Sequence, residues 1–332
     1  MDRINKQQDE SKRESEITTR PPVAVIIVNW NNLNDTLACI DSVRQSTYPN
    51  LSIIVVDNAS TDGSGKELSG ILPQENFLQM NSNLGFTGGN NAGIRLAISR
   101  KVKYILLLNN DAIIAEDAIE KLTTLLETSP NVSVTTPMIY YHSQPGRIWS
   151  AGGEIDPRRA KASMLGTDEI DQGQFDNIPY RVDFASGCAL MTRIETIEKA
   201  GLLDERFFMY FDEAEWCQRL GSMGQTIMLL PDAKVWHKIQ PDQRNLSPLV
   251  YYLMTRNRLL WIRCAGFGLF VFWRVLLLES MRMALIWTIG PRRKTRRNLR
   301  NAIILGIRDY YKKRFGPPPA EILCGRMGKN VL

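Results

Sequence analysis

Residues 23–29 read VAVIIVN, residues 51–57 read LSIIVVD and residues 102–111 read VKYILLLNND, and these three stretches decide the fold. Each is a near-continuous run of Val, Ile and Leu that ends abruptly in Asn or Asp. Runs apolar on both faces belong to strands of a parallel sheet covered on both sides, whereas a half-exposed strand would alternate. Between the runs lie helix-like pieces: one near 35–45, one opened by Thr61-Asp62, and TGGNNAGIRLAISR over 87–100. NFLQMNS (76–82) reads as a further strand, and AEDAIEKLTTLLE (115–127) as a helix that stops at Ser129-Pro130. The alternation predicts a doubly wound α/β unit with helices on both faces. From Pro137 to Pro179 the chain turns rich in Gly, Pro and turn residues. A strand over 182–192 and a helix around 212–220 then complete the same unit.

The 332 residues are 44% hydrophobic and 23% charged, an ordinary globular balance that excludes collagen-like, coiled-coil and wholly disordered chains. No uncharged apolar stretch reaches the roughly 18 to 20 residues that a membrane-crossing helix needs, so a polytopic membrane protein is excluded too. Residues 1–20 are polar and mixed in charge, which predicts a loose tail and not a signal peptide. The five cysteines are odd in number and contain no CxxC pair. That argues against a disulfide framework or a cysteine zinc site and fits a reducing cytoplasm. The net charge of +6 is concentrated: segment 290–314 holds ten Lys and Arg against Asp309 alone, so it is +9 and the remainder is −3. Such asymmetry points to an anionic surface near the C-terminus.

In an open parallel sheet, ligands bind beyond the carboxyl ends of the strands. Polar clusters fall there four times, as Asn29-Trp30-Asn31, Asp57-Asn58, Asn81-Ser82-Asn83 and Asn109-Asn110-Asp111. One such cluster is ordinary turn chemistry, but four on one edge predict a binding site. Asp57 is placed to accept a hydrogen bond from a pyrimidine N3–H, and Asp62 to cap the next helix. The stretch NSNLGFTGGNNAG matches neither GxGxxG nor GxxxxGK[ST], which excludes dinucleotide and P-loop fingerprints. Gly85, Gly88 and Gly89 would let a backbone approach a sugar or diphosphate, or equally let a helix pack closely on the sheet.

The motifs VAVIIVNWN, IIVVDNASTDGS, NLGFTGGNNAGI, LLLNNDAII, WSAGGEID, FASGCALMTR, GLLDERFFMYFDEAEWCQRL and LLPDAKVWHK occur in that order between Val23 and Arg263. Together they resemble family 2 glycosyltransferases of the GT-A fold, a Rossmann-like mostly parallel sheet, and within that family the rhamnosyltransferase-like branch. The resemblance implies a nucleotide sugar as donor, a divalent cation (Mn²⁺ or Mg²⁺) as cofactor, and inverting transfer in a single displacement. It implies that Asp57 holds the nucleobase, that Asp111 takes the metal position of the family's DxD motif, and that Glu213, with Asp212 beside it, stands where the base carboxylate stands. Asn31, Asn83, Gly85, Asn91, Asn109, Asn110, Gly152 and Gly187 are the further expected donor-site positions. This chain departs from the pattern in having Asn109 as the first DxD residue, which leaves the metal to Asp111, Asn109 and His237. The order Asp212-Glu213 is also the reverse of the usual one. An inverting transfer needs one base and a cation for the leaving diphosphate, and Glu213 with the metal would supply both. Glu215 and Arg219, spaced i, i+4, should pair on a helix surface.

The expected organisation is a tail over 1–20, a GT-A domain over 21–245 and a C-terminal amphipathic helical region over 246–332. After His237 the chain is rich in Trp, Phe, Leu and Met with Arg256, Arg258, Arg263, Arg274 and Arg282 interspersed, followed by Arg292, Arg293, Lys294, Arg296, Arg297 and Arg300. Aromatic amphipathic helices beside a basic cluster predict attraction to an anionic membrane surface. The reading is therefore an enzyme of cell-surface polysaccharide synthesis, cytoplasmic and peripheral on the inner face of the membrane. Its donor would be a dTDP- or UDP-sugar such as rhamnose, its acceptor a saccharide or lipid-linked saccharide, and nucleic acid would not be a partner. The competing reading is a non-catalytic adaptor for nucleic acid or membrane on a degenerate α/β scaffold.

Overall fold

The structure is a computed structural model, and it describes residues 20–176, 178–240, 247–290, 294 and 296–323. The expected tail therefore lies outside the described residues except for Arg20, which pairs with Glu120 at 2.8 Å.

The first half follows the predicted beat: β1 (Val23–Asn29), α1 (Leu33–Arg44), β2 (Leu51–Asp57), α2 (Ser64–Ile71), β3 (Phe77–Gln79), α3 (Gly85–Ser99) and β4 (Tyr104–Asn109). These strands are parallel in the order β3-β2-β1-β4, so all four polar ends do meet on one edge. The sheet is buried on both faces, with Ile26, Ile54 and Leu107 on one side and Val25, Val55 and Leu108 on the other. The glycine-rich stretch serves helix packing at two places. A Cβ on Gly93 would stand 2.4 Å from Ile26 and one on Gly89 2.8 Å from Val28, so α3 can lie against β1 only because both are glycine.

The second half makes the sheet mixed. After β5 (Ala112–Ile114) and α4 (Ala118–Thr128) come β6 (Val132–Tyr141), β7 (Gln144–Ser150), β8 (Gly153–Asp156), β9 (Lys161–Met164), β10 (Tyr180–Val182) and β11 (Ala189–Arg193). α5 (Ile194–Ala200), α6 (Asp212–Ser222) and β12 (Thr226–His237) follow. β11 joins β4 antiparallel and the sheet runs on through β6, β12 and β10. Sequence had marked 137–179 as a turn-rich passage, but β6 runs through Pro137 and pairs with β12. A proline lacks the N–H that a ladder needs, and a bulge accommodates it: Leu230 faces Pro137, and the next pair is already Lys234 with Met138.

The C-terminal region is helical: α7 (Pro248–Cys264), α8 (Leu269–Trp273), a wider π turn (Arg274–Met281), α9 (Arg282–Ile289), α10 (Arg297–Tyr311) and α11 (Ala320–Leu323). Ser247 caps α7 by accepting from the Val250 N–H, with Pro248 in its first turn. Among the described residues no helix is long and apolar enough to cross a membrane.

Candidate active site

β5 is only three residues long, but its register sets the first pair of functional groups. It runs antiparallel to β12, so Ala112 lies opposite His237, and the Lys238 N–H donates to the Asp111 carbonyl at 2.8 Å. That pairing brings together residues 126 apart in sequence, with His237 Nε2 3.0 Å from Asp111 Oδ1. His237 is buried, its ring edge-on to Trp149 at 4.6 Å. The neighbouring Trp236 stacks on Tyr140. Burial disfavours the imidazolium, but the Cys188 sulfur and the Asp111 carboxylate outweigh it and push the His237 pKa up to about 10. One carboxylate and one imidazole in contact are a donor set that a divalent ion drawing its other ligands from a diphosphate can use. Among the described residues no group of three or more His, Cys, Asp or Glu could hold a metal. The pair could therefore supply at most two of an ion's ligands.

The second pair begins α6. The chain enters this helix through residues in the left-handed region, Phe208, Tyr210 and Phe211, with φ of +67°, +69° and +66°. For bulky side chains this conformation costs energy and persists only where surroundings hold it. Two side chains of α7 hold it. Asn257 Nδ2 donates to the carbonyls of Phe207 (2.7 Å), Met209 (2.8 Å) and Tyr210 (3.1 Å), and Arg256 Nη2 donates to that of Phe207 at 3.2 Å. Arg256 also donates through Nε to Asn257 Oδ1, which orients the amide. Both residues are fully buried. Of the arginines interspersed in this stretch, Arg256 is thus a core residue, and Arg258 and Arg274 likewise turn inward, both pairing with Glu279. Nothing in the sequence distinguished Asn257, a lone amide in an apolar helix.

At the start of α6, Asp212 is buried and its Oδ2 has no hydrogen-bond partner among the described residues. Burial first, and then the Glu213 charge beside it, push the Asp212 carboxyl well above the usual carboxylate range. Burial also raises Glu213, but there the neighbouring Asp212 acts in the opposite direction. The two carboxyls therefore do not ionise independently, and both hold a proton more tightly than a free carboxyl, Asp212 the more so. Glu215 pairs with Arg219 at 3.0 Å, as its spacing predicted.

Both pairs open into one cavity of about 410 Å³, which Trp30, Asn83, Gly85, Asn109, Asn110 and Gly187 also line. Gly85 has φ +70°, and a Cβ there would stand 2.3 Å from the Phe208 carbonyl, so a glycine is required where α3 meets the strained loop. Gly187 faces Phe86, where a Cβ would approach to 2.8 Å. Trp30, 40% exposed at the mouth, belonged to a noted cluster but not to the expected site.

Four expected donor-site residues do not line this cavity. Asp57 is fully buried and accepts from Asn29 Nδ2 (2.7 Å), Gln79 Nε2 (2.7 Å) and the Ser60 N–H (3.0 Å). Both of its oxygens therefore already accept from the protein. Asn31 ties the loops after β1 and β2, its Oδ1 accepting from the Thr61 N–H at 2.7 Å. Asn91 is buried between Leu203 and Glu205, donating to the carbonyl of the first and the carboxylate of the second. Gly152 makes a positive-φ turn over Val182. Asn110 lines the cavity yet donates to Thr36 Oγ1 at 2.9 Å; Thr36 bonds Asn29 at 2.8 Å, and so the four clusters are partly knitted to one another.

A curled, mostly parallel sheet with helices on both faces is the fold of GT-A glycosyltransferases. A mannosyltransferase from Pyrobaculum calidifontis, solved with GDP-Man and Mn²⁺, superposes with a TM-score of 0.52 at 15% identity, covering 90% of this chain and 89% of its own. A family model described as glycosyl transferase family 2 matches residues 24–193. The chain belongs to that family. It is 22% identical to a dTDP-rhamnosyl transferase of Shigella flexneri over 73% of this chain and 80% of the relative. It is 24% identical to an N-acetylglucosaminyl-diphospho-decaprenol L-rhamnosyltransferase of Mycobacterium tuberculosis over 65% and 75%. The protein is thus a family 2 glycosyltransferase with rhamnosyltransferases among its relatives, and the adaptor reading falls.

Proposed function

We propose that this enzyme transfers a sugar, rhamnose in the favoured reading, with inversion from a dTDP- or UDP-activated donor to a hydroxyl of a lipid-linked saccharide. One observation supports this most: the Asp212–Glu213 pair and the Asp111–His237 pair face the same cavity. Glu213 takes the proton of the acceptor hydroxyl as that oxygen attacks the anomeric carbon and the bond to the diphosphate oxygen breaks. Asp212, protonated and buried beside it, keeps the charge on Glu213 and not on itself. Asp111 and His237, with Asn109 at hand, would hold a divalent cation, and such an ion offsets the charge of a leaving diphosphate. The imidazole favours Mn²⁺ over Mg²⁺.

The donor and acceptor classes rest on likeness to the two rhamnosyltransferases. The apolar side chains of Leu249 and Leu323 on the cavity wall suit an acceptor carried on a lipid. Such acceptors lie at a membrane, and the basic C-terminal segment suits its anionic cytoplasmic face. The test is thermal stabilisation by a panel of nucleotide sugars with and without Mn²⁺. A rise with dTDP-rhamnose that requires Mn²⁺ supports the reading. Stabilisation by purine nucleotide sugars alone, or none needing a metal, overturns it.

A further inference from the structure

The helical stretch 269–289 is apolar on both sides. Its inner side packs on the protein through Val271, Val275, Leu276 and Ala284, each no more than 8% exposed. Its outer side should be polar in a protein surrounded by water alone, yet it presents Leu269 (78% exposed), Phe270 (81%), Trp273 (49%), Leu278 (63%), Leu285 (57%) and Ile289 (73%). A surface helix normally carries one apolar stripe, and a continuous second one marks an interaction site. The stretch's own charges largely leave that outer face clean, because Arg274 pairs with Glu279, which also pairs with Arg258 of α7.

We infer that this outer face is a membrane-insertion surface that sinks among the acyl chains of an anionic bilayer without crossing it. Charge decides the occupant. Exposed Arg282, Lys294 and Arg297 border the face, and between residues 290 and 308 the sequence has no acid to oppose them. Anionic headgroups complement such a border, whereas a second copy docked by the same face would set like charges against each other. The insertion is driven mainly by apolar burial, and the border adds electrostatic attraction. α7, which packs against this helical stretch, holds the loop that leads into Glu213, and Leu249 of α7 lines the cavity. Insertion therefore seats the catalytic cavity at a fixed height above the lipid surface. This deepens the reading of a lipid-linked acceptor but is tested apart from it.

The test is flotation of the full chain with vesicles of phosphatidylcholine plus phosphatidylglycerol, alongside a Phe270→Glu, Leu278→Glu double variant. The wild type should float and should stay bound largely intact at roughly 1 M salt, where screening removes purely electrostatic attraction. The variant should partition at least about 100-fold less, since two large apolar side chains that would sink among the acyl chains are replaced by charges. Its transfer to a short soluble acceptor should equal that of the wild type, so a failed catalytic reading shows separately as no transfer by either protein. Equal flotation of both proteins, release of the wild type by salt, or a wild-type dimer that the variant abolishes without any vesicle binding would each overturn the proposal.

Discussion

Asp57 and Asp212 are both buried carboxylates at the open edge of the sheet, and they have opposite characters. Asp57 has a donor for each of its oxygens: two side-chain amides and a backbone N–H converge on it. Asp212 has a bare Oδ2, a carboxylate neighbour and a raised proton affinity. A buried acid surrounded by matched donors is a structural joint, while one left short of donors and placed beside its like is poised to exchange protons. Burial by itself thus says little about function; the count of donors does.

The largest effect should come from removing the charge that this contrast assigns to Glu213. Glu213→Gln should cut turnover by about 10²- to 10⁴-fold while donor binding, read by titration calorimetry, stays unchanged. A greater loss in Asp212→Asn would reverse the roles of the pair. On the other side of the comparison, Asp57→Ala leaves buried donors unpaired and should cost about 3 kcal/mol in denaturant unfolding. An unchanged midpoint together with lost nucleotide affinity would make Asp57 a ligand after all, and the contrast would break.

His237→Ala should weaken Mn²⁺ binding by about 10- to 100-fold. In the wild type a cation must displace a proton held up to about 10, so Mn²⁺ affinity should rise steadily from pH 6 to pH 9. Affinity flat across that range would remove His237 from the ligand set. Asn257→Ala frees the strained loop before Glu213 and should lower turnover about tenfold with little change in donor affinity. A pure stability loss at unchanged turnover and unchanged pH profile would confine Asn257 to packing.

The smallest effect is on stability. Asp212 binds its proton more tightly folded than unfolded, so its contribution is favourable below the ordinary carboxylate range and is lost as pH rises towards its higher folded value. Asp212→Asn escapes that loss. It should be more stable than the wild type by about 1 kcal/mol near pH 8, with the gain vanishing near pH 4, as followed by thermal unfolding. A gain independent of pH would mean that Asp212 is not the protonated partner.

Local pattern carried a great deal. The apolar runs ending at Asn29, Asp57 and Asn109 determined the parallel strands and the edge where a ligand could sit, because a strand buried on both faces leaves polar residues only at its ends. The spacing of Glu215 and Arg219 determined their pairing in the same way. Only the tertiary structure decided which polar groups remain free. Donors reach Asp57 from Asn29 and Gln79, 28 and 22 residues away, and Asp111 meets His237 through a strand register set 126 residues later. Sequence placed Arg256 and Asn257 in an apolar C-terminal helix, but their role as buttress of the loop before Glu213 needed the packing of that helix to be seen. The physical reason is that propensity and periodicity are local, whereas the satisfaction of a buried hydrogen-bonding group depends on whichever distant segment folds against it.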